Sequence, residues 1–194
     1  YLSVVTQLLV DDLTWVRDQW ATGNPANYRA GFLALPVTTA LSRIMTGMGT
    51  LAFGELRGER ILVPFTTKDK EDEHSCFSDT THLDHLNDSI SIQNLWNGSY
   101  TSSNGANNFT GTGIKHVAQT ASSSQSALVE LAVAANVAAL QAPALNPFES
   151  AIQGLDTDPG RTAIQAAMDA LSDFNTKFSS LASQMGISIS TAVP

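Results

Sequence analysis

Apolar residues in the first twenty positions recur at steps of three and four. They fall at Leu2, Val5, Leu9, Leu13, Val16 and Trp20. This spacing places apolar side chains on one face of an α-helix. Gly23 and Pro25 follow directly, and both residue types end helices. The pattern therefore predicts an amphipathic helix from Leu2 to Trp20.

Helical patterns continue along most of the remaining chain, and alternating strand patterns do not occur before the tail. The predicted elements are a helical region over 27–60 broken at Pro36, a connector over 61–68, a helix over 71–96, a polar Gly-rich loop over 97–113, a helix over 114–141, a helix over 156–185 opened by Asp158-Pro159 and ended by Gly186, and a tail over 187–194 that forms a short strand or is disordered. The sequence therefore predicts an all-α fold. We expect an up-and-down bundle of about five helices, with residues 1–194 as a single helical domain.

Composition limits the classes of function. The chain is 43% hydrophobic and 14% charged, which suits one compact domain. A net charge of −8 argues against nucleic acid as a partner, because such partners require a basic surface. One cysteine excludes an internal disulfide. No apolar run reaches about 18 residues, so no transmembrane helix is predicted.

The chain begins at Tyr1, inside the first amphipathic pattern and without an initiator Met. We therefore expect a processed or truncated chain. The lack of a signal peptide in such a chain does not argue against export.

Groups that bind metals or transfer protons are concentrated in residues 71–85, EDEHSCFSDTTHLDH. This stretch holds three of the four histidines, the only cysteine and five carboxylates. If this stretch and the residues after it form a helix with about 100° per residue, its apolar and polar side chains fall on two different sides. The expected buried side carries Cys76, Leu83, Leu86 and Ile90, and the expected polar side carries His74, Ser78, Thr81, His82 and His85. Cys76 is thus interpreted as a small buried hydrophobic residue and not as a nucleophile.

The polar side is either an ordinary solvated helix face or a binding site. His82-x-x-His85 has the spacing at which two imidazoles can share a metal ion. Glu71-x-x-His74 has the spacing used in di-iron helix bundles, but such bundles need further carboxylates from other helices. Neither spacing is sufficient alone.

The preceding helix ends with a second group of charges. Glu55 and Glu59, four residues apart, are expected to share a helix face, and Arg60 follows them. Two such carboxylates can bind a cation or position a water, although an exposed helix end with local ion pairs has the same pattern. A helical hairpin over the two segments would bring these three residues near His74, Ser78 and Asp79.

Three segments together resemble a known family. They are RIMTGMGTLAFGELRGERI (43–61), EDEHSCFSDTTHLD (71–84) and IQNLWNGSY (92–100). They resemble the C-terminal half of imelysin-like proteins, also called insulin-cleaving or iron-regulated imelysin peptidases. The specific likeness covers residues 28–100. It implies two related helical-bundle domains with a site at their interface, in bacterial proteins that are exported to the periplasm or outer membrane and linked to iron uptake.

The G-x-H-x-x-E motif of the family's N-terminal half is absent from this sequence. We therefore expect that half to be cleaved away or to lie on a separate chain, and the site to be shared with it. The site residues implied by the resemblance are Glu55, Glu59, Arg60, His74, Ser75, Ser78, Asp79 and His82. They would bind a metal, iron or zinc, or a polar ligand, with Arg60 balancing charge. The expected partners are the N-terminal half and components of iron uptake.

Three functions fit these observations. The first is an exported binding protein that captures iron, haem or an iron-bearing ligand. The second is a metallopeptidase, as the family name states, but a hydrolytic zinc site needs about three protein ligands and an open position, and no compact motif supplies them. The third is a helical scaffold whose polar face docks the other domain. The sequence favours binding.

Overall fold

The computed structural model describes residues 1–192. It divides the chain into two compact units, Tyr1–Arg43 and the part that begins at Ile44. The all-α prediction is confirmed, because α-helices dominate and the sheet within the described residues is a single small hairpin.

The first unit contains α1 (Leu2–Gln19) and α2 (Tyr28–Leu33), so the first predicted helix is confirmed. Asn27 joins the two: its side-chain amide donates to the backbone oxygen of Ala21 at 2.8 Å, and its side-chain oxygen caps α2. Within this unit α1 buries none of its side chains. Leu9 and Leu13 are 56% and 60% exposed, so the apolar side of α1 is left uncovered.

The remaining elements follow in chain order. They are α3 (Val37–Gly49), a π-helix (Thr50–Ile61), α4 (Leu62–Thr67), a 3₁₀ turn (Lys70–Asp72), α5 (Thr81–Asn97), β1 (Ser99–Thr101), β2 (Asn108–Thr110), α6 (Ile114–Ala121), α7 (Ser123–Leu140), a 3₁₀ turn (Pro143–Leu145), α8 (Phe148–Gln153) and α9 (Pro159–Gln184). The break at Pro36 and the loop over 97–113 are as predicted, and this loop carries the antiparallel β1–β2 hairpin.

The core of the second unit is built around α9, which packs against α7, α8 and the π-helix. Its rings Phe174 and Phe178 stack at 4.9 Å and are fully buried. Pro159 occupies the first turn, where a missing N–H costs nothing, and Gly186 follows the end with a φ of 70°. The last predicted helix is therefore confirmed at both ends.

By length and composition, α7 is the described helix that could cross a membrane. Within the second unit it packs against α9 and α5 and buries Val129, Val133 and Leu140. Core helices have the same apolar composition.

Several predicted boundaries were wrong. Most of the connector over 61–68 is helical α4, because Pro64 lies early in the helix where proline is tolerated. The helix over 114–141 is interrupted at Ser122, whose side chain caps α7. The short helix α8 was not predicted. The tail from residue 187 is irregular as far as the structure describes it, and the expectation for residues 193–194 lies outside the described residues.

The largest difference concerns residues 73–80, which form a turn and not the first part of α5. The backbone N–H of Ser75 donates to the Thr81 hydroxyl at 3.1 Å, and that of Ser78 donates to the Ser75 carbonyl. Asp79 has a φ of 54°, outside the helical region. Hydroxyl side chains offer the backbone alternatives to helical hydrogen bonds, so this Ser- and Thr-rich stretch leaves the helix.

The predicted buried and polar sides of α5 were also wrong. Its buried residues are Thr81, His85, Ser89, Ile92 and Trp96, whereas Leu83 is 46% exposed and Cys76 lies in the turn, half-buried. The His85 ring packs edge-on against Phe148 of α8 at 4.9 Å. A mainly polar side of α5 thus faces the core, because contacts from distant segments cover it.

Candidate functional site

Arg60 connects the π-helix to α5 through two carboxylates. Its guanidinium donates to Asp88 Oδ2 at 2.5 Å and pairs with Glu55 Oε2 at 3.4 Å. The three side chains are each between 23% and 31% exposed, so the pairing is partly shielded from water. Arg60 follows Glu55 by five residues, the interval over which a π-helix forms its hydrogen bonds. The π-helix therefore creates this pair.

A second polar group lies where the turn meets α5. The Ser75 hydroxyl donates to Asp84 Oδ2, and His74 Nδ1 is 3.9 Å from the same oxygen. His74 is 40% exposed and Asp84 34% exposed, so solvent reaches both. The arrangement holds an imidazole, a hydroxyl and a carboxylate together at the start of α5.

His85 lies close enough to both groups to respond to their charges. Burial, with the positive charges of His74 and Arg60 added, lowers the pKa of His85 to about 3, although Asp84 opposes the change. His85 is also hydrogen-bonded to the backbone of Arg60. Its ring is therefore neutral at pH 7. Its buried Nε2 has no hydrogen-bond partner.

Glu73 is a buried carboxyl group at the entrance of the turn, 6% exposed. Burial raises its pKa, a hydrogen bond with Thr81 opposes the rise, and the charges of Glu149 and Asp79 add to it. Its Oε1 is buried without a hydrogen-bond partner. This end of α5 thus contains a buried carboxyl group whose pKa lies above its ordinary value.

The other predicted site residues are less closely joined. Glu59 is exposed on the π-helix, and the shared face expected for it and Glu55 is replaced by the Glu55–Arg60 pair. Ser78 and Asp79 are exposed in the turn, where the Ser78 hydroxyl pairs with Thr80. His82 is half-buried, and its Nδ1 is buried without a partner.

The described side chains of this region do not by themselves form a complete metal site. Among residues 1–192, no three His, Cys, Asp or Glu side chains converge closely enough to hold one. The two groups at Arg60 and His74 each combine acids and bases, which suits hydrogen bonding to a polar ligand or partial coordination of an ion. A full coordination shell would need ligands from outside the described residues.

Three residues of the region were not considered as site residues in the sequence: Glu73, Asp84 and Asp88. His85 was considered only through the His82-x-x-His85 spacing, and its burial was not predicted. Asp84 and Asp88 are four residues apart on α5, a spacing visible in the sequence. The burial of Glu73 and His85 had no local signal, because Glu149 and Phe148 come from a distant helix.

Comparison with protein families identifies the chain's family. The model of the family described as Peptidase_M75, Imelysin, matches residues 1–177. The chain belongs to the imelysin family. The match extends well beyond residues 28–100, where the sequence resemblance is most specific, and includes all the elements that carry the candidate site of this imelysin. No curated protein matched the chain in a sequence search.

Proposed function

We propose that this imelysin is an exported bacterial protein that binds a metal, iron first, or an iron-bearing ligand, and that it acts in iron uptake. The site lies at the start of α5 and on the π-helix, and it is shared with the N-terminal half that the resemblance implies. His74 and Asp84 supply ligating atoms, while Arg60 balances negative charge on the ligand.

The observation that carries the proposal is a set of unpartnered polar atoms in one short stretch. Glu73 Oε1, His82 Nδ1 and His85 Nε2 are all buried and lack hydrogen-bond partners. Buried polar atoms are nearly always paired, since an unpaired one costs about 1–3 kcal/mol. A bound polar ligand that pairs any of them would offset part of this cost.

A shared site follows from the ligand set. No three potential ligands converge within the described residues, whereas a tightly held transition metal usually has at least three protein ligands. Completing the shell requires donors from another domain or from a chelating ligand that carries the iron. Both alternatives suit a binding protein better than a hydrolytic centre.

The test is metal content and affinity with Fe³⁺ and Zn²⁺, measured by mass spectrometry and calorimetry. We expect one metal per chain when the protein is joined to an imelysin N-terminal half, and much weaker retention by the chain alone. Asp84→Asn and His74→Ala should each weaken binding by tenfold or more, since each removes a ligating atom.

Asp173→Asn is the matched control, because Asp173 is an exposed carboxylate paired with Lys177 on α9. It should leave metal binding unchanged. Failure of both protein forms to retain iron or zinc, or equal losses in Asp84→Asn and Asp173→Asn, would contradict the proposal.

The family description also names a peptidase, so metallopeptidase activity is the alternative function. It predicts cleavage of a peptide library that stops when a chelator is added and that is lost in Glu55→Gln and His74→Ala. Metal binding without any peptide turnover would favour the binding protein.

A further inference from the structure

A cavity of about 610 Å³ lies in the second unit, and the charged side chains of the candidate site are not among the residues that line it. Its wall is formed by the last turns of α5, the β1–β2 hairpin, the start of α6 and Ile44 of α3. Small-molecule sites commonly have volumes of about 300–1,000 Å³. This cavity is therefore large enough for an organic ligand.

Two aromatic side chains of the hairpin form one side of the cavity. Tyr100 and Phe109 are directly opposed in the register of the two strands, so their rings lie on the same face. They are 51% and 64% exposed, although aromatic rings gain most when buried. Leu95 on α5 also lines the cavity and is 50% exposed.

The backbone holds the hairpin in place. The Gly111 N–H donates to the Gly98 carbonyl at 2.7 Å, directly after α5. A Cβ atom on Gly113 would lie 2.3 Å from the backbone N of Gly98, so the two chain segments touch. These backbone contacts therefore fix the hairpin, with its two aromatic side chains, against the end of α5.

The lining also sets the polarity of the ligand. Among the described residues that line the cavity, none is charged, and the polar groups are neutral ones such as Asn94 and Ser91. A charged ligand would lose hydration without an ionic partner. A neutral ligand with flat apolar rings would lose little hydration on binding. One or two hydrogen-bonding groups on it could pair with the neutral polar side chains of the lining.

We propose that this cavity binds a small, neutral, largely aromatic molecule between Tyr100, Phe109 and Leu95, with Asn94 fixing its polar group. Binding of this molecule does not depend on metal binding at the start of α5. It would give the imelysin a second ligand site on the same helix.

The probe is the neutral fluorophore N-phenyl-1-naphthylamine, titrated into the full chain. We expect saturable fluorescence enhancement at one probe per chain. Phe109→Ala should weaken the affinity about tenfold, because it removes one ring of the wall. Ser91→Trp should abolish binding by filling the cavity, and the variant's circular dichroism would establish that it still folds.

Phe77→Ala is the matched control, since Phe77 is 96% exposed and lies outside the cavity. It should bind the probe like the unaltered chain. Absence of saturable binding, or binding that Ser91→Trp and Phe109→Ala leave unchanged, would overturn the proposal. The second result would place the probe on another apolar surface, such as that of α1.

Discussion

Arg60 and Asp88 join the π-helix to α5 through a contact of 2.5 Å between the guanidinium and the carboxylate. Both side chains are about three-quarters buried, so water weakens this pair less than it weakens an ion pair at the surface. The same guanidinium also holds Glu55, which makes Arg60 the centre of the first polar group.

Replacing Asp88 by Asn should lower the free energy of unfolding by about 2 kcal/mol, since the partly buried Arg60 loses the negative charge of its hydrogen-bond partner. Urea unfolding would measure the change. The double variant Arg60→Met/Asp88→Asn should lose less than the sum of the two single variants. Additive losses would mean that the two residues are not coupled.

Stability should fall with decreasing pH because of His85. The pKa of His85 drops from 6.5 in the unfolded chain to about 3 in the folded chain, so acid favours the unfolded state. The effect is small above pH 6.5 and grows to about 1.4 kcal/mol for each pH unit as the pH falls towards 3. Urea unfolding from pH 7.5 to pH 4 would measure it.

The His85→Gln variant should show a shallower loss of stability over this range than the unaltered chain. Leu131→Gln serves as the control and should keep the original slope, because Leu131 is 67% exposed on α7 and carries no titratable group. Parallel curves for His85→Gln and the unaltered chain would show that His85 does not titrate as expected.

Replacing Gly113 by Ala should disturb the attachment of the hairpin to α5. The added Cβ would lie 2.3 Å from backbone atoms of Asn97 and Gly98, which cannot move away as a flexible side chain could. We expect a loss of about 3 kcal/mol in unfolding free energy. Gly47→Ala, at an exposed helical position with open space around it, should instead stabilise the chain by about 1 kcal/mol. Thermal unfolding of both variants would compare them.

Arg161 should be essential for docking α8 and α4 onto α9. Its guanidinium donates to the carbonyls of Ile152 at 2.6 Å and Phe65 at 2.9 Å and lies 3.7 Å from the centre of the Phe65 ring. Arg161→Met should lower the free energy of unfolding by about 3 kcal/mol, because the buried Ile152 carbonyl and the partly buried Phe65 carbonyl both lose a donor. Arg17→Met should change stability by only about 0.5 kcal/mol or less, since Arg17 is largely exposed. An equally small effect at Arg161 would contradict this role.

Elements with local signals could be predicted from the sequence. The helix α9 is marked by Asp158-Pro159 and Gly186, and α1 by its regular apolar steps, so both were found. The sequence also indicated that the segments around Glu55 and His74 carry the polar chemistry. All these predictions rest on residues that lie close together in the sequence.

The pairing of the site residues could not be predicted in this way. Burial of His85 depends on Phe148, which is distant in the sequence, and the Glu55–Arg60 pair depends on a π-helix, for which no periodic signal was visible. The helix α5 begins later in the sequence than predicted, because hydroxyl groups in the turn form hydrogen bonds with the backbone. The burial and pairing of these side chains therefore depend on tertiary contacts and local side-chain hydrogen bonds, which the periodicity of the sequence does not reveal.

The π-helix also limits how this region could be redesigned. Its five-residue hydrogen-bonding step sets Glu55 beside Arg60, whereas an α-helix would bring Glu55 closest to residues three and four positions away. Deleting one residue between them would therefore suit an α-helical version of the pair and restore the commoner backbone. The same deletion would turn every later side chain, including the buried Ile61, to a new direction. Removing one residue from the π-helix would thus keep the Glu55–Arg60 ion pair but misalign the buried side chains that follow it.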